Sequence, residues 1–93
     1  MTGTTVRVVH IGSAHGLHAR PAKMFVEAAK AAGFPIEVSN GATTVNAASI
    51  LGVLSLGANQ GDEITISTTG EGAAVDEVLD RLESVLRTDH DSD

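Results

Sequence analysis

The chain contains no cysteine, tryptophan or tyrosine, and only two of its 93 residues are phenylalanine. Without cysteine, disulfide scaffolds, thiolate zinc sites and cysteine nucleophiles are excluded. Because aromatic side chains are scarce, the core has to be built from closely packed Val, Ile, Leu and Ala. A hydrophobic fraction of 42% is typical of a globular chain, and this length suffices for one small domain. We predict one domain over residues 1–93, with its core at 5–87 and a polar tail at 88–93.

Long apolar runs are also lacking. No run approaches the roughly 18 residues of a membrane span, and residues 1–11 lack the basic start and apolar block of a secretory signal. We therefore expect a cytoplasmic domain without membrane insertion. The net charge of −6 argues against non-specific binding of nucleic acid.

The charges are divided unevenly between the two halves of the chain. Residues 1–46 carry four cations against two carboxylates, whereas residues 47–93 carry two arginines against ten carboxylates. Three of the four N-terminal cations lie in the segment GLHARPAKMFVEAAK, residues 16–30. Two interpretations stay open for these cations: a solvated helix face, or a docking surface for an acidic partner. The acidic second half is most simply a solvated surface.

Periodicity predicts a strand and a helix in the first third of the chain. Residues 5–11 are rich in β-branched side chains and alternate in polarity, which favours a strand. After a loop, apolar residues recur with the spacing of one helix face, at Ala22, Phe25, Val26 and Ala29. Gly33 and Pro35 predict the end of this helix.

A hairpin follows in the middle of the chain. Residues 36–39 alternate in polarity, Asn40-Gly41 is typical of a tight turn, and residues 43–47 predict the returning arm. Residues 49–57 are too apolar for a loop. Period alone leaves helix and buried strand open there, and Ser49 as an N-cap favours a short helix.

The last third predicts a strand and a final helix. Residues 63–68 alternate most clearly, and an apolar stripe at helical spacing follows, at Val75, Val78, Leu79, Leu82, Val85 and Leu86. The order is β-α-β-β-α-β-α. Because the strands have a single apolar face, we predict an α+β open-faced sandwich, with three helices on one face of a four-stranded antiparallel sheet.

The start of the first helix combines features that suit an anion. With His18 as N-cap, the first turn holds Ala19, Arg20 and Pro21. The backbone N–H groups of Ala19 and Arg20 have no partner within the helix, and Pro21 has no N–H. The helix dipole adds partial positive charge. A neutral imidazole is also a competent nucleophile near neutral pH. Residue spacing leaves two alternatives: His18 accepts a phosphoryl group, or it is a structural cap beside a solvated arginine.

The sequence resembles a known family in three segments. GLHARPA, residues 16–22, resembles the active-site motif of the HPr family, the histidine-containing phosphocarriers of the bacterial phosphoenolpyruvate:sugar phosphotransferase system. SILGVLSLG, residues 49–57, is similar to the family's regulatory-serine helix, and GDEITI, residues 61–66, to its last strand. The likeness covers residues 5–87, and the predicted element order is also the family's topology.

The resemblance implies a covalent phosphoryl carrier, not a free-standing enzyme, that needs no cofactor and acts as a monomer. His18 would accept a phosphoryl group at Nδ1, the pros nitrogen, from phosphorylated enzyme I, whose donor is phosphoenolpyruvate. It would pass this group to a histidine on the IIA domains of sugar permeases. Arg20 and the backbone of Ala19 and Arg20 would bind the phosphate. The implied docking patch for both partners consists of Leu51 and Leu54, together with Leu17 and Phe25.

Ser49 matches a serine that a dedicated kinase, and a matching phosphorylase, can act on in some family members. Such relatives usually carry a basic residue before the serine, where this chain has Ala48. The helix-cap role is therefore favoured, and regulation at Ser49 is left open.

Other functions are less consistent with the sequence. His10, His15 and His18 lack a nearby carboxylate in sequence, so no metal site is expected. His15 is interpreted as an exposed loop histidine, with a position near His18 as the alternative. A regulatory binding module on the same fold is disfavoured because His18 and Arg20 are both present. A carrier of a nitrogen-related branch of the system cannot be separated from a sugar carrier by these residues.

Overall fold

The computed structural model describes residues 4–70 and 72–88. Seven elements follow one another in the predicted order: β1 (Thr5–His10), α1 (Ala19–Ala31), β2 (Ile36–Ser39), β3 (Thr44–Asn46), α2 (Ile50–Ser55), β4 (Glu63–Thr68) and α3 (Ala73–Arg87). The predicted tail at 88–93 lies outside the described residues except for Thr88.

The four strands form one antiparallel sheet with the order β1-β4-β2-β3. The last strand, β4, lies between β1 and β2, with Val8 opposite Thr65 and Val38 opposite Ile66. The N-terminal and C-terminal halves of the chain are thus joined at the centre of the sheet, which brings the loops after β1 and before β4 together.

Only one face of the sheet is covered. On the covered face Val9, Val38 and Ile64 are at most 1% exposed, whereas Val6 and Val8 on the opposite face are 56% and 49% exposed. A sheet with one apolar face and one solvated face needs a helix layer on a single side. This confirms the predicted open-faced sandwich.

The helix layer is built from amphipathic segments. The buried face of α1 consists of Pro21, Ala22, Phe25, Val26 and Ala29. This face contains the whole stripe predicted from periodicity, and the helix ends before Gly33 and Pro35, as expected. The segment 49–57 contains the short helix α2, not a buried strand.

The ends of two strands differ from the predictions. Ile11 leaves the β1 ladder and donates its N–H to the carbonyl oxygen of Asp62 over 3.0 Å, so β1 ends at His10. The second hairpin arm is shorter than 43–47, because Asn40 Oδ1 accepts a hydrogen bond from the N–H of Thr43 over 2.8 Å and draws that residue into the turn.

An ion cluster joins β1 to α3. The Arg7 guanidinium donates to Asp80, lies 3.3 Å from Glu83 and is 3.9 Å from Asp76. The hydrogen bond to Asp80 raises the pKa of Arg7 above its ordinary value. Part of the acidic second half of the chain therefore has a structural role in holding α3 on the sheet.

Within residues 4–70 and 72–88, the helices are too short and too polar to cross a membrane.

Candidate functional site

The loop between β1 and α1 is fixed at both of its ends. At its start, the N–H of Gly12 donates to the carbonyl oxygen of Leu86 in α3 over 2.8 Å. At its end, the N–H of Leu17 donates to the carbonyl oxygen of Ala58, in the loop after α2, over 2.9 Å. The start of α1 is consequently placed by the end of α3 and by the α2–β4 loop, both of which lie far from it in sequence.

Gly16 makes the close approach to the α2–β4 loop possible. Its φ angle is +73°, and a Cβ at this position would lie 2.4 Å from the carbonyl oxygen of Ala58. Both facts require glycine, because other L-residues disfavour this dihedral and would collide with the neighbouring backbone. Two residues further on, the N–H of His18 donates to the carbonyl oxygen of Gly16 over 3.0 Å.

His18 is the N-cap of α1, as predicted. Its backbone is extended, with φ −93° and ψ −172°, and its carbonyl oxygen accepts the first helical hydrogen bond, from Ala22 over 3.0 Å. The imidazole makes no capping hydrogen bond to the helix, so the structural-cap alternative does not hold. The side chain is half-buried, with its Nε2 atom buried.

The first turn of α1 presents positive charge to solvent beside this ring. Ala19 and Arg20 are exposed, while Pro21 is buried and contributes no N–H. A helix offers no internal carbonyl to its first amides, and its dipole is positive at this end. The first turn has no acidic side chain. Chemically, this combination of a nucleophilic ring, backbone donors and a guanidinium can accept and hold a phosphoryl group.

His15 belongs to the same site, which sequence reasoning treated as the less favoured alternative. It is exposed, and its ring centroid lies 6.0 Å from that of His18 with an interplanar angle of 81°. The available signal was the short spacing in the segment His15-Gly16-Leu17-His18, because a glycine there permits the positive φ that folds the chain back on itself.

Ser49 caps α2, as predicted. Its Oγ accepts a hydrogen bond from the N–H of Gly52 over 3.1 Å. The C-terminal end of the same helix is tied to the β2–β3 turn, because Asn40 Nδ2 donates to the carbonyl oxygen of Leu56 over 3.0 Å. The first bond stabilises the start of α2, and the second fixes its end against the β2–β3 turn.

The structure corrects the predicted docking patch in part. Leu51 is 78% exposed, and Leu54 is half-buried against the core. Phe25 is fully buried and Leu17 is only 6% exposed, so neither side chain can contact a docked protein. Their assignment to the patch was wrong, because both residues belong to the hydrophobic core.

Two exposed apolar residues on the same helices were missed. Met24 of α1 is 40% exposed, and Ile50 of α2 is 37% exposed. The signal for Met24 is its position outside the buried stripe of α1, since an apolar residue off the stripe is directed to solvent.

Metal ligands do not cluster in the described part of the chain: residues 4–70 and 72–88 contain no group of three His, Asp or Glu side chains that could hold an ion.

Comparison with known proteins identifies the arrangement. Residues 5–88 match the family model described as the PTS HPr component phosphorylation site. The phosphocarrier protein HPr of Streptomyces coelicolor is 47% identical over 81 residues, covering 86% of this chain and 85% of that protein. The crystal structure of HPr from Bacillus anthracis superposes with a TM-score of 0.80 at 36% identity, covering 90% of this chain and 98% of that one.

A larger protein contains a similar segment. The multiphosphoryl transfer protein of Xanthomonas campestris pv. campestris is 39% identical over 71 residues, which are 76% of this chain but only 8% of that protein. The chain therefore belongs to the HPr family, the phosphocarriers of the phosphotransferase system.

Proposed function

We propose that this chain relays phosphoryl groups for sugar uptake in the cytoplasm. His18 accepts the group from phosphorylated enzyme I, whose donor is phosphoenolpyruvate, and passes it to a histidine on the IIA domain of a sugar permease. The observation that carries this proposal is the half-buried His18 ring at the N-cap of α1, beside the exposed Arg20 and the first helix amides.

The burial of one ring nitrogen supports the choice of the other as acceptor. Since Nε2 of His18 is buried, we assign the nucleophilic attack on the phosphoryl group to Nδ1. In the transfer, the Nδ1 lone pair forms a bond to phosphorus while the bond from phosphorus to the donor atom breaks. The donor atom keeps that electron pair, and the proton on Nε2 stays on the His18 ring.

The phosphoryl dianion is bound by the guanidinium of Arg20 and by the backbone N–H groups of Ala19 and Arg20. The helix dipole contributes about 0.3–1 kcal/mol at an exposed site. A charged hydrogen bond contributes about 1.5–3 kcal/mol. Because Arg20 is exposed to water, these contributions are modest, and they suit a group that has to be passed on.

Docking uses the exposed apolar side chains of α2. Leu51 supplies apolar surface, and the exposed cations Arg20 and Lys23 on α1 favour acidic partner surfaces. A small interface that both partners use in turn gives fast release, which a shuttle requires.

The test is phosphorylation by purified enzyme I and phosphoenolpyruvate. We expect one acid-labile, base-stable phosphate, measured as a mass increase of the intact chain. His18→Ala should abolish the labelling, whereas His10→Ala, which removes an exposed histidine on the open face of the sheet, should leave it unchanged. Labelling that persists in His18→Ala would contradict the proposal.

The acceptor side is tested separately with a panel of IIA proteins. Transfer to IIA domains of sugar permeases supports the sugar relay. Transfer confined to IIA proteins of the nitrogen-related branch would replace it with the alternative carrier role.

A further inference from the structure

A second histidine lies against the phosphoryl acceptor. The rings of His15 and His18 are in edge contact, with centroids 6.0 Å apart and planes at 81°. His15 is exposed, while His18 is half-buried. At this separation, an oxygen of a phosphoryl group bonded to His18 comes within hydrogen-bonding reach of the His15 ring. Charge-assisted hydrogen bonds of this kind span about 2.7–2.9 Å.

The position of His15 is set by the backbone on both sides. The N–H of Gly16 donates to the carbonyl oxygen of Ser13 over 3.0 Å, which closes a turn around Ala14 and His15. After His15, the chain is anchored where Gly16 packs on Ala58. Ser13 is itself buried. The ring therefore projects from a constrained turn, not from a loose loop.

We propose that His15 is a second phosphoryl-binding residue, whose imidazolium donates a hydrogen bond to the phosphoryl group carried by His18. This inference rests on the proposed function, because it requires that His18 be phosphorylated. Histidine is the side chain whose charge ordinarily changes between pH 5 and 8. The imidazolium form of His15 then favours the phosphoryl dianion on His18, in addition to the contribution of Arg20.

The carboxylates on the surrounding elements make contacts of their own. The loop itself, residues 12–18, contains no carboxylate. On the α2–β4 loop, Asp62 accepts a hydrogen bond from the N–H of Asn59 over 2.9 Å. At the end of α3, Arg87 lies 3.4 Å from Glu83.

The remaining charged groups near the loop are the cations of α1. Arg20 and Lys23 are both exposed in its first two turns. They attract the same phosphoryl dianion, and they are present in the wild type and in every His15 variant. The contribution of His15 can therefore be separated from theirs by substituting His15 alone.

The experiment uses the full chain phosphorylated chemically with phosphoramidate, so that it does not depend on enzyme I. The P–N bond of the reagent breaks, ammonia leaves, and the phosphoryl group bonds to the histidine. Molecules phosphorylated at His18 are isolated by ion exchange and verified by peptide mass mapping. The pH at which the phosphoryl group loses its second proton is then measured by ³¹P NMR.

The expected result is a shift between the wild type and His15→Asn. A nearby cation favours the dianion, so the wild-type ³¹P midpoint should lie about half a pH unit below that of His15→Asn. His15→Lys, which keeps a positive charge, should retain the low midpoint. His10→Asn is the matched control and should behave as the wild type, because His10 lies on the open sheet face next to Glu63.

Equal midpoints in the wild type and His15→Asn would overturn the proposal, as would mapping of the phosphate to His15 itself. If the asparagine variant does not fold, His15→Gln provides a second neutral side chain for the same comparison. Failure of enzyme I to label His18, combined with the predicted ³¹P shift, would reject the relay but leave the contact between His15 and the phosphoryl group in place.

Discussion

The N–H of Leu17 donates a hydrogen bond to the carbonyl oxygen of Ala58 over 2.9 Å. Both side chains are buried, at 6% exposure each. The residue immediately before His18 is therefore anchored to the loop that follows α2. A displacement of that loop would therefore also move His18, the proposed phosphoryl acceptor, because only one peptide unit separates His18 from this hydrogen bond.

Gly16→Ala should both destabilise the fold and slow phosphoryl transfer. The added Cβ would lie 2.4 Å from the Ala58 carbonyl oxygen, at a φ of +73°. We expect a loss of about 1–3 kcal/mol in the free energy of unfolding, measured by urea denaturation. The rate of labelling by enzyme I should fall because His18 moves with the loop.

Gly57→Ala is the matched control for this substitution. Gly57 also has a positive φ, +59°, but nothing lies within 4 Å of a Cβ built there. We expect a loss of about 1 kcal/mol from the backbone conformation alone, with labelling retained. Equal effects of the two substitutions on labelling would show that the contact with Ala58 does not position His18.

The order of the elements could be read from the sequence because their signals are local. The buried face of α1 repeats at helical spacing from Ala22 to Ala29, and Ser49 supplies the cap of α2 through its own side chain. Phe25 shows how two arguments can conflict. Periodicity assigned it to the core and the family resemblance assigned it to the docking patch, and the structure supports the core.

The position of His15 could not be derived in the same way. Its approach to His18 depends on the contact between Gly16 and Ala58, which are 42 positions apart in the chain. No local pattern encodes this contact. The exposure of Leu51 likewise follows from how α2 packs, because this helix is too short to show a clear apolar stripe. The exposure of Met24 is different, since the periodicity of the longer helix α1 indicates it.

Arg20→Ala should slow phosphoryl transfer about tenfold, because a charged hydrogen bond to the dianion is lost. The free energy of unfolding should change by no more than about 0.5 kcal/mol, since Arg20 is exposed. Arg20→Lys should give an intermediate rate, because lysine keeps the charge but not the planar pair of donors. Rapid-quench kinetics with phosphorylated enzyme I provides the measurement.

Lys23→Ala is the control for the charge of Arg20. Lys23 is an exposed cation on the same helix, so its removal changes the net charge by the same amount. We expect at most a small effect on the transfer step. If Lys23→Ala and Arg20→Ala slow transfer equally, Arg20 acts through general attraction and not through contact with the phosphoryl group.

Leu51→Ala should weaken docking without weakening the fold. Leu51 is 78% exposed, so its truncation should change the free energy of unfolding by no more than about 0.5 kcal/mol while the KM of enzyme I for this chain rises several-fold. Val8→Ala removes an exposed apolar side chain from the open sheet face and should leave KM unchanged. Equal KM values for Leu51→Ala and the wild type would remove Leu51 from the interface.

Phe25→Ala separates the core from the docking surface. The side chain is fully buried, and such truncations cost about 3–5 kcal/mol. Urea denaturation should show this loss, whereas the folded fraction should keep its KM for enzyme I. A raised KM with an unchanged free energy of unfolding would contradict the burial of Phe25.

Ser49→Ala should destabilise the chain by about 1 kcal/mol, because α2 loses the acceptor for the N–H of Gly52. Ser49→Asp keeps a capping oxygen and should cost less, since aspartate is an equally good N-cap. Its negative charge, close in sequence to the exposed Leu51, should nevertheless raise the KM for an acidic partner.

Ser55→Ala, which removes the 2.6 Å bond from Ser55 Oγ to the Gly52 carbonyl oxygen, is the control and should change the free energy of unfolding by at most about 0.5 kcal/mol. If Ser49→Asp is destabilised as much as Ser49→Ala, the hydroxyl of Ser49 does more than accept the capping hydrogen bond.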